Sequence, residues 1–382
     1  MRVTIDYTPA IAQGAGIGRY TRSLVSALAR VDLTTRYTLF SVERPSQERG
    51  FPSAADMPTM RPRLWPVGVR YATAIWQRAR LPLPIEFVSG RASVFHGTDF
   101  TLPPALLARR VVTIHDLAFL TQPQYAFPKL VTYLSRVVPR SVREADHIIA
   151  VSQSTAADLV THLGVVREKI SVIHIGVDPS VRRIEDPARI AALEARYGLR
   201  HPFILAVGTI EPRKNYEELI AAFAHARQTA DGPRQLVIAG RKGWLYDGVF
   251  AAVQRHGLQE AVRFLDYVPD DDLPTLYTAA DALAMPSYYE GFGIPVIEAM
   301  ACGTPVVCST GGALPEVAGD AALIVAPDDV DGLADALVRL VSYPTLREEL
   351  RHRGLARAQR FTWDDAGRAH ANVYRRLAGV ER

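Results

Sequence analysis

The sequence predicts an α/β chain of two domains, each a parallel β-sheet covered by helices. Three observations lead there. Short apolar runs end repeatedly in Gly, His or Glu, as strands of a buried parallel sheet do where they open into loops. Helical patterns separate those runs. The alternation begins at Val3–Asp6 and restarts at Phe203–Val207, just past the linker signal Asp186-Pro187. The expected domains are 1–185, joined by a returning C-terminal helix over 363–382, and 186–362.

The 382 residues suffice for two well-filled cores. Hydrophobic content of 48% and charged content of 22% are those of a globular chain, and a net charge of +4 gives no argument for nucleic acid. The two cysteines, Cys302 and Cys308, read as small core residues in a reducing compartment. Met1 leads directly into a strand, with no leader pattern, and no apolar run is long enough to span a bilayer. The expectation is a cytoplasmic protein, with any membrane contact peripheral to the inner face.

In the first half, the strand Val3–Asp6 is followed by Gly14-Ala15-Gly16-Ile17-Gly18 and a helix from Tyr20 to Ala29. A dinucleotide fingerprint would need Gly at 19, where Arg19 stands. A helix N-terminus facing an anion explains the same glycines. A strand over Tyr37–Val42 comes next, and 44–66 reads as irregular. Val69–Arg80 reads as an amphipathic helix with Val69, Tyr71, Ala72, Ile75, Trp76 and Ala79 on one face. Packing on its own core is the simpler reading. Nearby Arg61, Arg63 and Trp65 keep a membrane-surface helix open. Val94–Gly97 and Val111–His115 read as strands carrying His96 and His115 at their ends. Ile148–Val151 is a further strand, with Ser152 and Ser154 as cap candidates for the next helix, and Ile170–Ile175 is the last strand of this half.

The second half adds strands at Leu236–Ala239, Val262–Leu265, Ala282–Met285, Val306–Cys308 and Leu323–Val325. Between Met285 and Val306 lies Glu290-Gly291-Phe292-Gly293-Ile294-Pro295, then a helix read as Pro295–Ala301 that places Glu298 about two turns in. Two carboxylates flanking a Gly-rich loop at a strand's C-terminal end suit a ligand rich in hydroxyls, since a carboxylate accepts from both groups of a diol. Arg213 and Lys214, after the Gly208-Thr209 turn and before a helix from Tyr216, form an anion site. Asp270-Asp271-Asp272 matches an Asp-x-Asp metal motif. However, it stands at the start of the helix Leu273–Ala280, where Asp caps backbone N–H groups. Asp329-x-Asp331 has the same explanation. No His or Cys cluster has ligand spacing, so no metal is expected.

Glu290-x7-Glu298, followed by Ala-Met-Ala-Cys-Gly-Thr-Pro-Val-Val, resembles the signature of GT4-type retaining glycosyltransferases of the GT-B fold. The resemblance extends through Gly16-Ile17-Gly18-Arg19-Tyr20, His115-Asp116, Gly176-Val177-Asp178, Pro212-Arg213-Lys214-Asn215 and Gly311-Gly312-Ala313-Leu314-Pro315-Glu316. It implies two Rossmann-like domains facing across a cleft. The implied reaction is metal-independent transfer of a hexose from a nucleoside diphosphate sugar to a saccharide or lipid-linked saccharide acceptor. By the same resemblance Glu290 and the backbone of Phe292, Gly293 and Ile294 hold the donor sugar. Glu298 binds the ribose, His115 contacts the sugar, and Arg213 and Lys214 face the diphosphate. Gly16, Gly18 and Gly208 admit close backbone approach, and the base lies near Tyr267 and Val268. Similarity to mannosyltransferases of bacterial surface-polysaccharide assembly favours GDP-mannose, with UDP-sugars the alternative. No cofactor beyond the donor is implied.

Overall fold

The computed structural model describes residues 1–14, 16–47, 49–53 and 55–380. Ala15, within the expected glycine loop, Glu48 and Ala54, within the stretch expected to be irregular, and the last two residues of the expected C-terminal helix lie outside them. The chain divides into two compact units. The first holds Met1–Leu120, Lys129–Gly176 and Thr362–Arg382, and the second holds Val177–Phe361 with the short segment Thr121–Pro128.

In the first unit a seven-stranded sheet runs β3-β2-β1-β4-β5-β6-β7. Its strands are β1 (Arg2–Asp6), β2 (Arg36–Ser41), β3 (Met60–Leu64), β4 (Val94–Gly97), β5 (Arg109–Ile114), β6 (His147–Ala150) and β7 (Ile170–Val172). Every pairing is parallel. β3 corrects the expectation of an irregular 44–66. Its sequence MRPRL exposes all but Met60, and as an edge strand it bonds only to β2, so Pro62 and two arginines are tolerated. Val69–Arg80 is also not one α-helix: Val69–Thr73 is α-helical and Ala74–Arg78 is π-helical. Trp76 and Ala72 are buried in the core, whereas Tyr71, expected beside them, is 67% exposed. The π turn shifts the face that the α period would present.

The C-terminal helix, Trp363–Leu377, belongs to the first unit and packs on the helix Ile17–Val31. Gly367 makes this close: a Cβ there would come within 3.1 Å of Ala27 and Val31 side chains. Beneath it, His96 Nδ1 pairs with Tyr374 Oη at 2.7 Å and His96 Nε2 with Thr113 Oγ1 at 2.8 Å. Tyr20 Oη lies 3.0 Å from His370 Nε2. These polar groups are buried and satisfied by one another. His96, considered alongside His115 as a strand-end site residue, is therefore a structural member of the core.

The second unit has a six-stranded sheet in the order β10-β9-β8-β11-β12-β13. Its strands are β8 (Phe203–Val207), β9 (Gln235–Ala239), β10 (Val262–Asp266), β11 (Ala282–Met285), β12 (Val306–Ser309) and β13 (Ala322–Val325). All pair in parallel. Counted from β8, this is the doubly wound order 3-2-1-4-5-6, whose direction of winding reverses between β8 and β11. The first sheet reverses in the same way between β1 and β4. At such a reversal adjacent loops part and leave room for a ligand. Cys302 and Cys308 are buried free thiols, as expected.

Candidate active site

The second unit assembles its site at the β8/β11 reversal. Lys214 and Arg213 lie in the 3₁₀ turn Pro212–Lys214 after β8, and Glu290 lies in the loop after β11. Asn215 enters the next helix with φ +59, and its amide donates to Pro286 O at 3.1 Å and Pro327 O at 2.6 Å, tying the loops together. The structure brings the two cations and the carboxylate into contact. Lys214 Nζ is 2.7 Å from Glu290 Oε1, and Arg213 Nη1 is 3.0 Å from Glu290 Oε2. Arg213 also donates to Tyr289 O at 2.7 Å and to Glu211 Oε1 at 2.6 Å. Burial would raise the Glu290 carboxyl, but the charges of Arg213 and Lys214 win and hold it down to about 2.

Glycines let these loops meet. At Gly312, φ is +61 and a Cβ would lie 2.3 Å from Glu290 O, while Ala313 N donates to that same carbonyl at 2.8 Å. Gly208, expected to admit a ligand, borders Lys214: a Cβ there would come within 3.4 Å of its Nζ.

The helix after Glu290 is Ile294–Ala301, capped by Gly293 with no side-chain hydrogen bond. Glu298 is thus about one turn in, not two. Its side chain is nearly buried, and Tyr277 Oη donates to Oε2 at 3.0 Å. Phe292 is buried. Val268 is buried too, whereas Tyr267, after β10, is 53% exposed and carries the Arg241 guanidinium 4.6 Å above its ring. Arg241 follows β9, so this cation–π pair stands on the same sheet edge. The sequence reading missed it because nothing in spacing links residues on adjacent strands.

Tyr125 was missed as well. The segment Thr121–Pro128 brings it to stack on Tyr288, with ring centroids 4.6 Å apart and 10° between planes. Trp244 Nε1 donates to Tyr125 O at 2.9 Å. Burial pushes the Tyr288 hydroxyl up to about 12, with Tyr125 and nearby carboxylates adding to it.

In the first unit the expected residues gather at the C-terminal edge of its sheet. Gly16 has φ +52 and caps the helix Ile17–Val31 without a side-chain bond. Gly18 is required by packing, since a Cβ would fall 2.1 Å from Gln13 O. Arg22 pins that loop by donating to Ala10 O at 2.8 Å and Gln13 O at 3.0 Å. His115 Nε2 donates to Thr98 O at 2.8 Å, which fixes the tautomer and leaves Nδ1 as the acceptor. Burial lowers the His115 pKa, and the Thr98 carbonyl and Asp116 oppose this in part. Asp99, just past β4, is a polar group the sequence did not flag. Gln13 Nε2 donates to its Oδ2 at 2.9 Å. Burial lifts its carboxyl to about 6, against the Gln13 hydrogen bond and with the charge of Asp6.

The Asp270–Asp272 run differs from expectation in its bonding. Asp272 stands at the helix start but makes no side-chain cap. Its carboxylate instead accepts from Tyr197 Oη at 2.9 Å and pairs with Arg196 at 2.7 Å. Asp329 does cap, accepting from Gly332 N at 2.8 Å, and Ser152 accepts from Thr155 N at 3.0 Å.

The fold and site are thus those of a protein with two doubly wound sheets, the second carrying a paired Lys and Glu at its reversal. Comparison with known proteins gives the family. The model of "Glycosyltransferase Family 4" matches residues 14–181, and that of "Glycosyl transferases group 1" matches residues 195–357. An O-antigen chain mannosyltransferase B of Escherichia coli is 34% identical over 285 residues, covering 74% of each chain. An MMP alpha-(1->4)-mannosyltransferase of Mycolicibacterium hassiacum is 32% identical over 62% of this chain and 55% of its own. Among solved structures, a sucrose-phosphate synthase from Thermosynechococcus elongatus superposes with TM-score 0.78 at 22% identity over 100% of both chains. The chain belongs to the family 4 glycosyltransferases, and its fold is GT-B. It is a glycosyltransferase, similar to bacterial mannosyltransferases.

Proposed function

We propose that this enzyme transfers mannose from GDP-mannose to a hydroxyl of a saccharide or lipid-linked saccharide, with retention at the anomeric carbon and without a metal. The observation that carries the reading is the Lys214–Glu290–Arg213 group at the sheet reversal of the second unit, a buried carboxylate between two half-buried cations. The departing diphosphate gains negative charge as its bond to the anomeric carbon breaks, and a fixed cation there stabilises the transition state. The acceptor oxygen bonds to the anomeric carbon, the bonding pair leaves with the phosphate oxygen, and that oxygen takes the acceptor's proton on the same face. Glu290 and the backbone of Phe292 to Ile294 meet sugar hydroxyls, and Glu298 takes the ribose. Tyr267, paired with Arg241, offers the base a flat exposed face. In the first unit, Nδ1 of His115 accepts from a sugar hydroxyl, and the backbone freed by Gly16 and Gly18 serves phosphate. The mannose preference rests on the two mannosyltransferase relatives. The metal reading rests on the commitment of Asp272 to Arg196 and Tyr197.

Among the described residues no helix is long and apolar enough to cross a membrane. Peripheral contact with an anionic bilayer, through Tyr71, Arg70 and Arg80 of the first unit, is part of the proposal.

The test is donor turnover followed by NMR with GDP-mannose and a set of UDP-sugars, with and without EDTA. The expected result is consumption of GDP-mannose to α-linked product, unchanged by chelator. Turnover of UDP-sugars alone would overturn the donor assignment. Loss in EDTA with recovery on Mn²⁺ would overturn metal independence.

A further inference from the structure

Arg213 is less available to a phosphate than its place in the sequence suggests. Its guanidinium is a planar fork with donors in fixed directions. Nη1 is used by Glu290 Oε2 at 3.0 Å and Tyr289 O at 2.7 Å, and Nη2 by Glu211 Oε1 at 2.6 Å. Glu211 is only 4% exposed. It is held there because Ile210, next to it, is fully buried and bonds to the β9 extension, its N–H donating to Arg241 O at 2.9 Å. Swinging Arg213 toward a diphosphate would strand a buried carboxylate without its partner, which is strongly unfavourable. The Lys214 chain, by contrast, lies against Gly208, beside the Tyr216 hydroxyl, and its Nζ pairs with Glu290 alone among the described carboxylates, so its release leaves Glu290 still paired with Arg213.

We infer that Glu211 is a positioning residue of the transferase. It holds Arg213 on Glu290 and away from the diphosphate, and leaves Lys214 as the cation of this pair that meets the leaving group. This rests on the functional reading above. Arg213 and Lys214 are balanced by Glu211 and Glu290, so these four side chains carry no net charge before donor binds. Such a site grips the transition state, where phosphate charge grows, more than it grips the intact donor, and its neutrality limits how tightly it holds the fully charged nucleoside diphosphate product.

The consequence is a split that a merely structural role would not give. Glu211→Gln keeps the shape but frees one end of the Arg213 fork and leaves the four positions with one net positive charge. GDP should then bind tighter, by roughly tenfold at the separations inside such a site. The kcat should fall at the same time, because Glu290 loses its fixed partner and product leaves slowly. Glu211→Asp should recover part of kcat and return GDP affinity toward wild type.

The experiment measures the Kd of GDP by calorimetry, and kcat and KM for GDP-mannose, on the full chain. Tighter GDP with lower kcat in Glu211→Gln supports the inference. Weaker GDP binding together with lower kcat, or no change in either, overturns it. If Glu211→Gln does not fold, the double variant Glu211→Gln/Arg213→Gln, which removes both charges at once, decides. It should bind GDP within about threefold of wild type, since its net charge is preserved. A loss of more than tenfold would show that Arg213 does reach the phosphate. Wild type that bound no nucleoside diphosphate and turned over no donor would overturn the functional reading itself, which separates the two failures.

Discussion

Lys214 Nζ sits 2.7 Å from Glu290 Oε1, in a pocket where both side chains are at most 11% exposed. Glu290 is therefore the counter-charge of Lys214 and Arg213 as well as a candidate sugar ligand. Its carboxyl, ordinarily near 4.5, is held at about 2. A carboxylate with a depressed folded pKa adds stability that is present above its unfolded value and is lost as pH falls toward the folded one. Glu290→Gln should cost about 2–4 kcal/mol at pH 7. The difference from wild type should shrink as pH drops from 4.5 toward 2. Chemical denaturation at both ends of that window checks it.

A second pH effect comes from the first unit. Burial lowers His370 to about 4 and takes His96 well below its ordinary value. Histidines that are neutral when folded leave the unfolded chain binding more protons below about 6.5, so stability falls as pH drops from there toward 4. Tyr374→Phe removes the partner of His96 Nδ1 and should cost about 1–3 kcal/mol. Circular dichroism melts at pH 7 and pH 5 should show both wild type and variant losing Tm on acidification.

Asp99 moves in the other direction. Its carboxyl is raised to about 6, so the folded state binds the extra proton and stability falls as pH rises from about 4 through 6. Asp99→Asn should raise stability at pH 7 by on the order of 1 kcal/mol, after allowance for its partial exposure. A variant that melts below wild type at pH 7 would contradict this assignment.

Gly312→Ala tests the loop geometry separately from charge. Its Cβ would stand 2.3 Å from the carbonyl oxygen of Glu290, at a φ of +61. The loop must move, and Glu290 with it. Donor turnover should fall by about two orders of magnitude, as misplacement of a positioning group does. The Tm should drop by several degrees.

Cosedimentation with vesicles tests the membrane proposal. Wild type should bind anionic vesicles and release them as salt rises. The triple variant Tyr71→Ser/Arg70→Gln/Arg80→Gln should bind at least severalfold less. Equal binding would leave the exposed Tyr71 with no membrane role.

Much of this fold is legible in the sequence because a parallel sheet buried on both faces needs continuous apolar runs, and Phe203–Val207 or Ala282–Met285 can be little else. β3 is not legible, since an edge strand needs no such run and Met60–Leu64 carries two arginines and a proline. The helix Pro128–Glu144 escapes for a related reason: only its last third, around Val137, Val138 and Val142, is buried, and Pro139 interrupts the pattern. At the site, Glu290, Lys214 and Arg213 are legible one by one as charges beside glycines. Their mutual pairing is not, because it depends on β8 lying beside β11. Other strand neighbours hide Arg241 over Tyr267, which follow β9 and β10, and Gln13 on Asp99, which follow β1 and β4. Beside the irregular 44–66 and the single helix over Val69–Arg80, the cap at Asp272 was misread. Its carboxylate had two stronger partners, Arg196 and Tyr197, on a helix distant in sequence.

The most direct test of the donor site is Lys214→Ala, with kcat for transfer from GDP-mannose and the Kd of GDP measured on the same protein. In the proposed function, Lys214 is the cation that meets the growing charge of the leaving diphosphate. Its loss should lower kcat by about 10²–10³-fold and weaken GDP binding by roughly tenfold, with the fold retained by circular dichroism. A Lys214→Ala variant that transferred sugar at the wild-type rate would place the reaction elsewhere in the molecule.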